Sequence, residues 1–219
     1  MLLNRLQTLL GGIYDARVGC DIYDYLVTDR AALPAGCHSR GADEELLVLS
    51  HEGECAMALY IDPAVLGRLQ ASDPLRELNS GNVADFWTVL EGVSHFQYLA
   101  WNAHHDRSVS LHELELQAEI DKYVSSFWVL RRQRPQHFPA ELARLLFEST
   151  RIDPMLAGER APIYRAATHH AERFCRSLER LLRAARPRHD SPRILASLRR
   201  FYRLNDARKR AHIARLEMA

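Results

Sequence analysis

Residues 82–132 read NVADFWTVLEGVSHFQYLAWNAHHDRSVSLHELELQAEIDKYVSSFWVLRR, and their periodicity decides the fold. At 100° per residue, Phe86, Val89, Leu90, Val93, Phe96 and Ala100 fall on one helical face. Trp87, Tyr98, Leu99 and Trp101 extend apolar character around its sides, which predicts a helix buried in the middle of the molecule. Asn82 stands where a cap is needed, and this helix is expected to run to about His105. Ser110-x-x-Glu113 has the form of a capping box and opens a second helix to about Arg132. The second apolar face is Leu116, Ile120, Tyr123, Val124, Phe127 and Trp128. A short connection from Asp106 to Val109 predicts antiparallel packing of the two.

Each helix also carries a polar line. Glu91, His95, Asn102 and Asp106 follow one another at spacings of 4, 7 and 4. His112, Glu115, Glu119 and Lys122 follow at 3, 4 and 3. His95 precedes the turn by about as much as Glu119 follows it, so Glu91, His95, Glu115 and Glu119 converge if the lines face each other. Carboxylates and an imidazole on facing helices are what a bundle needs to bind a transition metal, and this donor set suits manganese, iron or zinc better than calcium. The pattern departs from the di-iron bundle template, which wants Glu-x-x-His on two helices; here Glu91-x-x-x-His95 and a reversed His112-x-x-Glu115 stand instead. The structural alternative is a solvated face of Glu115, Glu119 and Lys122 held by helical ion pairs, with His95 a hydrogen-bonded interior residue.

Upstream the period changes from 3.6 to 2. Glu45 to His51 and Glu54 to Ile61 flank Glu52-Gly53, the pattern of a β-hairpin. A lone hairpin is marginal and must pack on helices or find another strand. Leu2 to about Leu10 reads as a short helix stopped by Gly11-Gly12, and Asp21 as the cap of another through Leu26. Residues 29–44 and 150–161 read as loops. Asp62-Pro63 and Asp73-Pro74 place a capping carboxylate before a first-turn proline. Phe138-Pro139, Pro162 and Ser191-Pro192 open three further helical stretches, the last divided near Asn205-Asp206. The expectation is a predominantly helical α+β fold in one domain over residues 1–219.

The net charge of +1 conceals a division. Residues 1–122 hold 8 basic and 19 acidic residues, and residues 123–219 hold 21 and 9. Arg173, Arg176, Arg180 and Arg183 share one broad helical face; Arg199, Arg200, Arg203, Arg208, Lys209 and Arg210 form a second group with Phe201 and Tyr202 interleaved. Basic residues with aromatics are one signature of nucleic-acid binding, although near-neutral total charge argues against a dedicated binder.

The cysteines, Cys20, Cys37, Cys55 and Cys175, form no C-x-x-C pair and are read as reduced thiols; Cys37-His38 with Cys20 lacks the second pair a zinc site requires. No signal peptide, membrane span, nucleotide-binding glycine loop or hydrolase motif is found, and a cytoplasmic protein is expected. Three functions follow from these residues. The first is an interaction or accessory protein that engages a protein partner, or itself, through charged helical faces. The second is a metal-dependent enzyme using Glu91, His95, Glu115 and Glu119. The third is nucleic-acid binding through the C-terminal arginines.

Overall fold

The computed structural model describes residues 1–33, 41–51, 54–149, 160–185 and 187–216; of residues 50, 51, 54, 55, 149 and 187–190 only the backbone is described. The fold is mostly helical with a small mixed sheet. Helix α1 spans Leu2–Tyr14. Strand β1 is Leu26–Val27, β2 is Glu44–His51 and β3 is Glu54–Ile61. The helices that follow are α2 (Pro63–Ala71), α3 (Val83–Ala103), α4 (Leu111–Gln133) and α5 (Leu142–Ser149). Three more close the chain: α6 (Ala161–Ala184), α7 (Pro187–Tyr202) and α8 (Asp206–Arg215).

Helices α3 and α4 form the expected antiparallel hairpin. Its register is written in hydrogen bonds between them: Trp87 Nε1 donates to Ser126 Oγ at 2.9 Å, Ser94 Oγ to Asp121 Oδ2 at 2.6 Å and the Tyr98 hydroxyl to Glu113 Oε1 at 2.5 Å. Phe86, Leu90, Val93, Ile120 and Val124 are fully buried and Phe127 nearly so. They join a core that runs from Leu3 to Ile213. Ser110 Oγ accepts from the Glu113 amide at 3.1 Å, the first half of the capping box. Glu113 does not return the bond but reaches Tyr98 and the Asp206 amide. Leu90→Ala is expected to cost about 2–5 kcal/mol, the range for a large-to-small core change; urea unfolding measures it.

The sheet is ordered β1–β3–β2. Strands β2 and β3 pair antiparallel with Leu46 opposite Leu59 and Glu44 opposite Ile61. The turn at Glu52-Gly53 lies outside the described residues. β1, which periodicity does not reveal because it is two residues long, adds to β3 in parallel and supplies the third strand a lone hairpin needs. Side chains alternate between the sheet's faces. Leu59 and Ile61, with Leu46, pack into the helical core, whereas Leu47 and Tyr60 form a small cluster with Leu33 on the other face. Glu44 therefore stands on the helix-facing side.

Four local expectations are corrected. Helix α1 continues through Gly11-Gly12 and ends at Asp15, whose φ of 52° is left-handed. Arg17 Cγ packs where a side chain on Gly11 would stand. Asp21 caps only a single 3-10 turn, Ile22–Asp24, and Asp73 caps a turn rather than a helix, its Oδ1 accepting from Leu75 N at 2.9 Å. Helix α7 begins at Pro187 and carries Pro192 inside it. Asn82 does occupy the cap position of α3, but its side chain ties the preceding loop through Ser72, Glu77 and Asn79.

The C-terminal basic group is exposed at Arg200, Arg203, Arg208 and Arg210, but its aromatics are not. Phe201, Tyr202 and Lys209 are buried. Arg199 donates to the carbonyls of Gly12 and Ile13, and Arg203 to those of Tyr14 and Asp15. These guanidiniums complete the C-terminus of α1, where unsatisfied carbonyls and the helix dipole favour cations. Arg176 and Arg183 pair with Glu172 and Glu179 one turn earlier on α6. Among the described residues no helix is long and apolar enough to cross a membrane.

Candidate metal centre

Helix α3 brings Glu91 and His95 to one side by their four-residue spacing, and α4 brings Glu115, Glu119 and Lys122 to meet them. One donor atom each from Glu91, His95 and Glu115 lies within 4.8 Å of the others. His95 Nε2 approaches Glu115 Oε1 at 3.7 Å; it is buried and has no hydrogen-bond partner. Glu119 stands beside this group on the next turn. Lys122 Nζ donates to Glu119 Oε1 at 2.8 Å and to Glu91 Oε2 at 2.9 Å. Glu119 Oε2 is left buried and unpartnered. The solvated-face alternative does not hold, since the Lys122, Glu119 and Glu115 side chains keep only 6%, 11% and 12% exposure. Glu91, at 29%, is the edge through which solvent reaches the group.

Glu44 completes the cluster and comes from the sheet. Its Oε1 lies 4.0 Å from His95 Nδ1, and its Oε2 is buried without a partner. The approach depends on Gly92. A Cβ there would stand 2.7 Å from Glu44 Oε2 and 2.9 Å from Leu59 Cδ1, closer than side-chain atoms tolerate. Glycine in a helix interior ordinarily costs about 1 kcal/mol relative to alanine. Here Gly92→Ala is expected to lose that gain to overpacking worth about 1–3 kcal/mol, and to push the Glu44 carboxylate away from His95. Denaturant unfolding that shows Gly92→Ala more stable than the parent contradicts this packing.

The electrostatics follow from four carboxylates and one ammonium in a poorly hydrated place. Burial holds the His95 imidazolium down to about 4, against the pull of Glu91, so the ring is neutral with a lone pair to offer. Burial, then the Glu91 charge, raise Glu115 to about 8 despite Lys122. Glu44 is driven well up by burial and by the charges of Glu91 and Glu115, and Glu119 is raised by burial against Lys122. Burial also pushes Glu91 up, but Lys122 and His95 together outweigh it and leave that carboxyl below its ordinary value.

The remaining polar residues of the two lines go elsewhere. Asn102 donates to the Tyr98 carbonyl, and Asp106 is an exposed left-handed residue at the turn. His112 turns away from Glu115 and binds Asp206 Oδ1 at 2.5 Å and His170 Nδ1 at 3.0 Å. A second buried network is built on the same two helices. Asp121 accepts from Ser94 and Gln117, and Gln117 accepts from Lys209 Nζ at 2.6 Å. Burial lowers the Lys209 ammonium to about 7 and raises Asp121 to about 6. Of the cysteines, Cys20 and Cys175 are free thiols; Cys37 and His38 lie outside the described residues.

The class of protein so defined is a helix-dominated α+β protein with a largely buried glutamate–histidine–glutamate cluster able to coordinate a metal ion. Compared with protein-family models, curated proteins and solved structures, the chain matches none.

Proposed function

We propose that this chain is a metal-dependent enzyme whose ion is held by Glu91, His95 and Glu115. The observation that carries the reading is the convergence of three donors from two helices around a buried imidazole nitrogen that has no other partner. Ligands on an ion at about 2.1 Å lie at most about 4.2 Å apart, so the 4.8 Å cluster needs only slight closure. One nitrogen and two carboxylates suit manganese, iron or zinc. Glu44 faces the other ring nitrogen of His95 and would orient it as a carboxylate behind a metal-bound histidine does.

Three protein ligands leave coordination positions open, as in catalytic rather than structural sites. An ion held there would supply an acidic water. Glu119, whose second oxygen is buried without a partner beside these ligands, would be the base to take its proton, while Glu44 stays behind the ring of His95. The chemistry this supports is attack of activated water on a small substrate entering past Glu91. An interaction role through charged helical faces has less support, because Arg176, Arg183, Arg199 and Arg203 are engaged within the chain.

Titration of chelator-treated protein with manganese, iron or zinc tests the proposal, followed by calorimetry and thermal unfolding. Saturable binding with a rise in unfolding temperature is expected; no binding of any of the three contradicts it. The pH dependence has a definite sign. A carboxyl must lose its proton to ligate, and Glu115 without metal holds its proton up to about pH 8. Affinity is therefore expected to climb as pH rises from 6 toward about 8 and to level off above, with proton release on binding below that point. Affinity that falls over this range contradicts the assignment of Glu115.

A further inference from the structure

We infer that Lys122 is a built-in second cation, so that the centre accepts one divalent ion and not two. This inference rests on the proposed metal site. Carboxylate centres between helices commonly hold two ions about 3.5–4 Å apart, joined by a shared carboxylate. Here Glu91 is the shared group. Its carboxylate is within reach of His95 and Glu115 on one side and bonds the Lys122 ammonium on the other. Lys122 Nζ in turn holds Glu119, so the ammonium joins two carboxylates as a second ion would.

Charge and exposure support the same count. Once the ion is bound, the carboxylates that meet it or the ammonium, Glu91, Glu115 and Glu119, outnumber Lys122 by two charges. One divalent ion balances them. A second leaves two positive charges in excess and stands beside an ammonium that keeps only 6% exposure and has little freedom to leave. Lys122 is a positioning residue in this scheme: a compact point charge with three donors, two of them used on Glu91 and Glu119. Glu119 then belongs to the ammonium rather than to the metal, unlike Glu115.

Metal stoichiometry tests this directly. Purified chain equilibrated with excess manganese, desalted and analysed is expected to retain about one manganese per chain, with the six-line resonance of an isolated ion. Lys122→Met is expected to take up a second manganese, with loss of the six-line signal as the two ions couple. Glu119→Gln is expected to keep one manganese with affinity changed less than about threefold, while Glu115→Gln loses more than about tenfold. Two manganese ions in the unaltered chain overturn the inference and leave the metal site standing. None overturns both. Lys122→Met that stays at one ion, or Glu119→Gln as damaging as Glu115→Gln, overturns the role given to Lys122. Should Lys122→Met fail to fold, the stoichiometry of the unaltered chain and the Glu119→Gln comparison still decide.

Discussion

His95→Ala is expected to weaken manganese, iron or zinc binding by about 100-fold or more, beyond the 10–100-fold typical of residues that only support a ligand. The imidazole is the one nitrogen donor of the cluster, and burial keeps it neutral and ready to ligate. Its removal leaves carboxylates that repel one another and bind hard cations without selectivity. The fold should survive. His95 Nε2 makes no hydrogen bond, so its loss orphans no partner, and the cost is expected within about 0.5–3 kcal/mol. Glu45→Gln is the matched control: Glu45 pairs with Tyr60 on the face of the sheet turned away from the helices, and its substitution should leave affinity unchanged. Calorimetric titration of the three proteins checks the comparison. His95→Ala that binds as tightly as the parent removes the imidazole from the site.

Tyr202→Ala is expected to destabilise the protein by about 3–5 kcal/mol, the range for truncating a buried aromatic. The ring stacks on Tyr14 at 4.3 Å between centroids and meets Tyr98 and Trp101 edge-on at 4.8 and 5.5 Å. It thereby fastens the C-terminal helices to α1 and α3. Tyr202→Phe separates packing from hydrogen bonding. The hydroxyl is buried and finds no partner among the described residues, so its removal should cost under about 1 kcal/mol or stabilise slightly. Urea denaturation of both variants measures the difference. A mild Tyr202→Ala would mean that the ring is on the surface, available to stack on a base, and would revive the nucleic-acid reading.

That reading shows where sequence reasoning met its limit. Interleaved aromatics and arginines look alike whether the aromatics stack on a ligand or fill the core, because the decision rests on α1, nearly the whole chain away. Lys209 is indistinguishable in sequence from its arginine neighbours for the same reason, yet it is completely buried against Tyr98 and Gln117. The α3–α4 hairpin was legible because apolar residues at helical spacing surround α3 on most sides, which only a central position explains. The juxtaposition of Glu91, His95 and Glu115 was likewise within reach: spacing aligned them, and the short turn fixed their level.

Strand parity hides Glu44. Starting the strand at Glu45 leaves out the residue that shares a face with Leu46, and alternation from Leu46 and Leu59 would have placed Glu44 toward the helices. Gly92 gave no signal of its own. In sequence it is only a weak residue in a strong helix; its meaning appears when the Glu44 carboxylate occupies the space its side chain would fill.

The most direct measurement is the anomalous scattering of crystals grown with manganese or zinc, recorded on both sides of the metal's absorption edge. The account predicts one peak among His95 Nε2, Glu91 and Glu115, at about 2.0–2.3 Å from each, with Lys122 still bridging Glu91 and Glu119. No peak at that position, or a fully occupied peak elsewhere with His95 left unliganded, would contradict it.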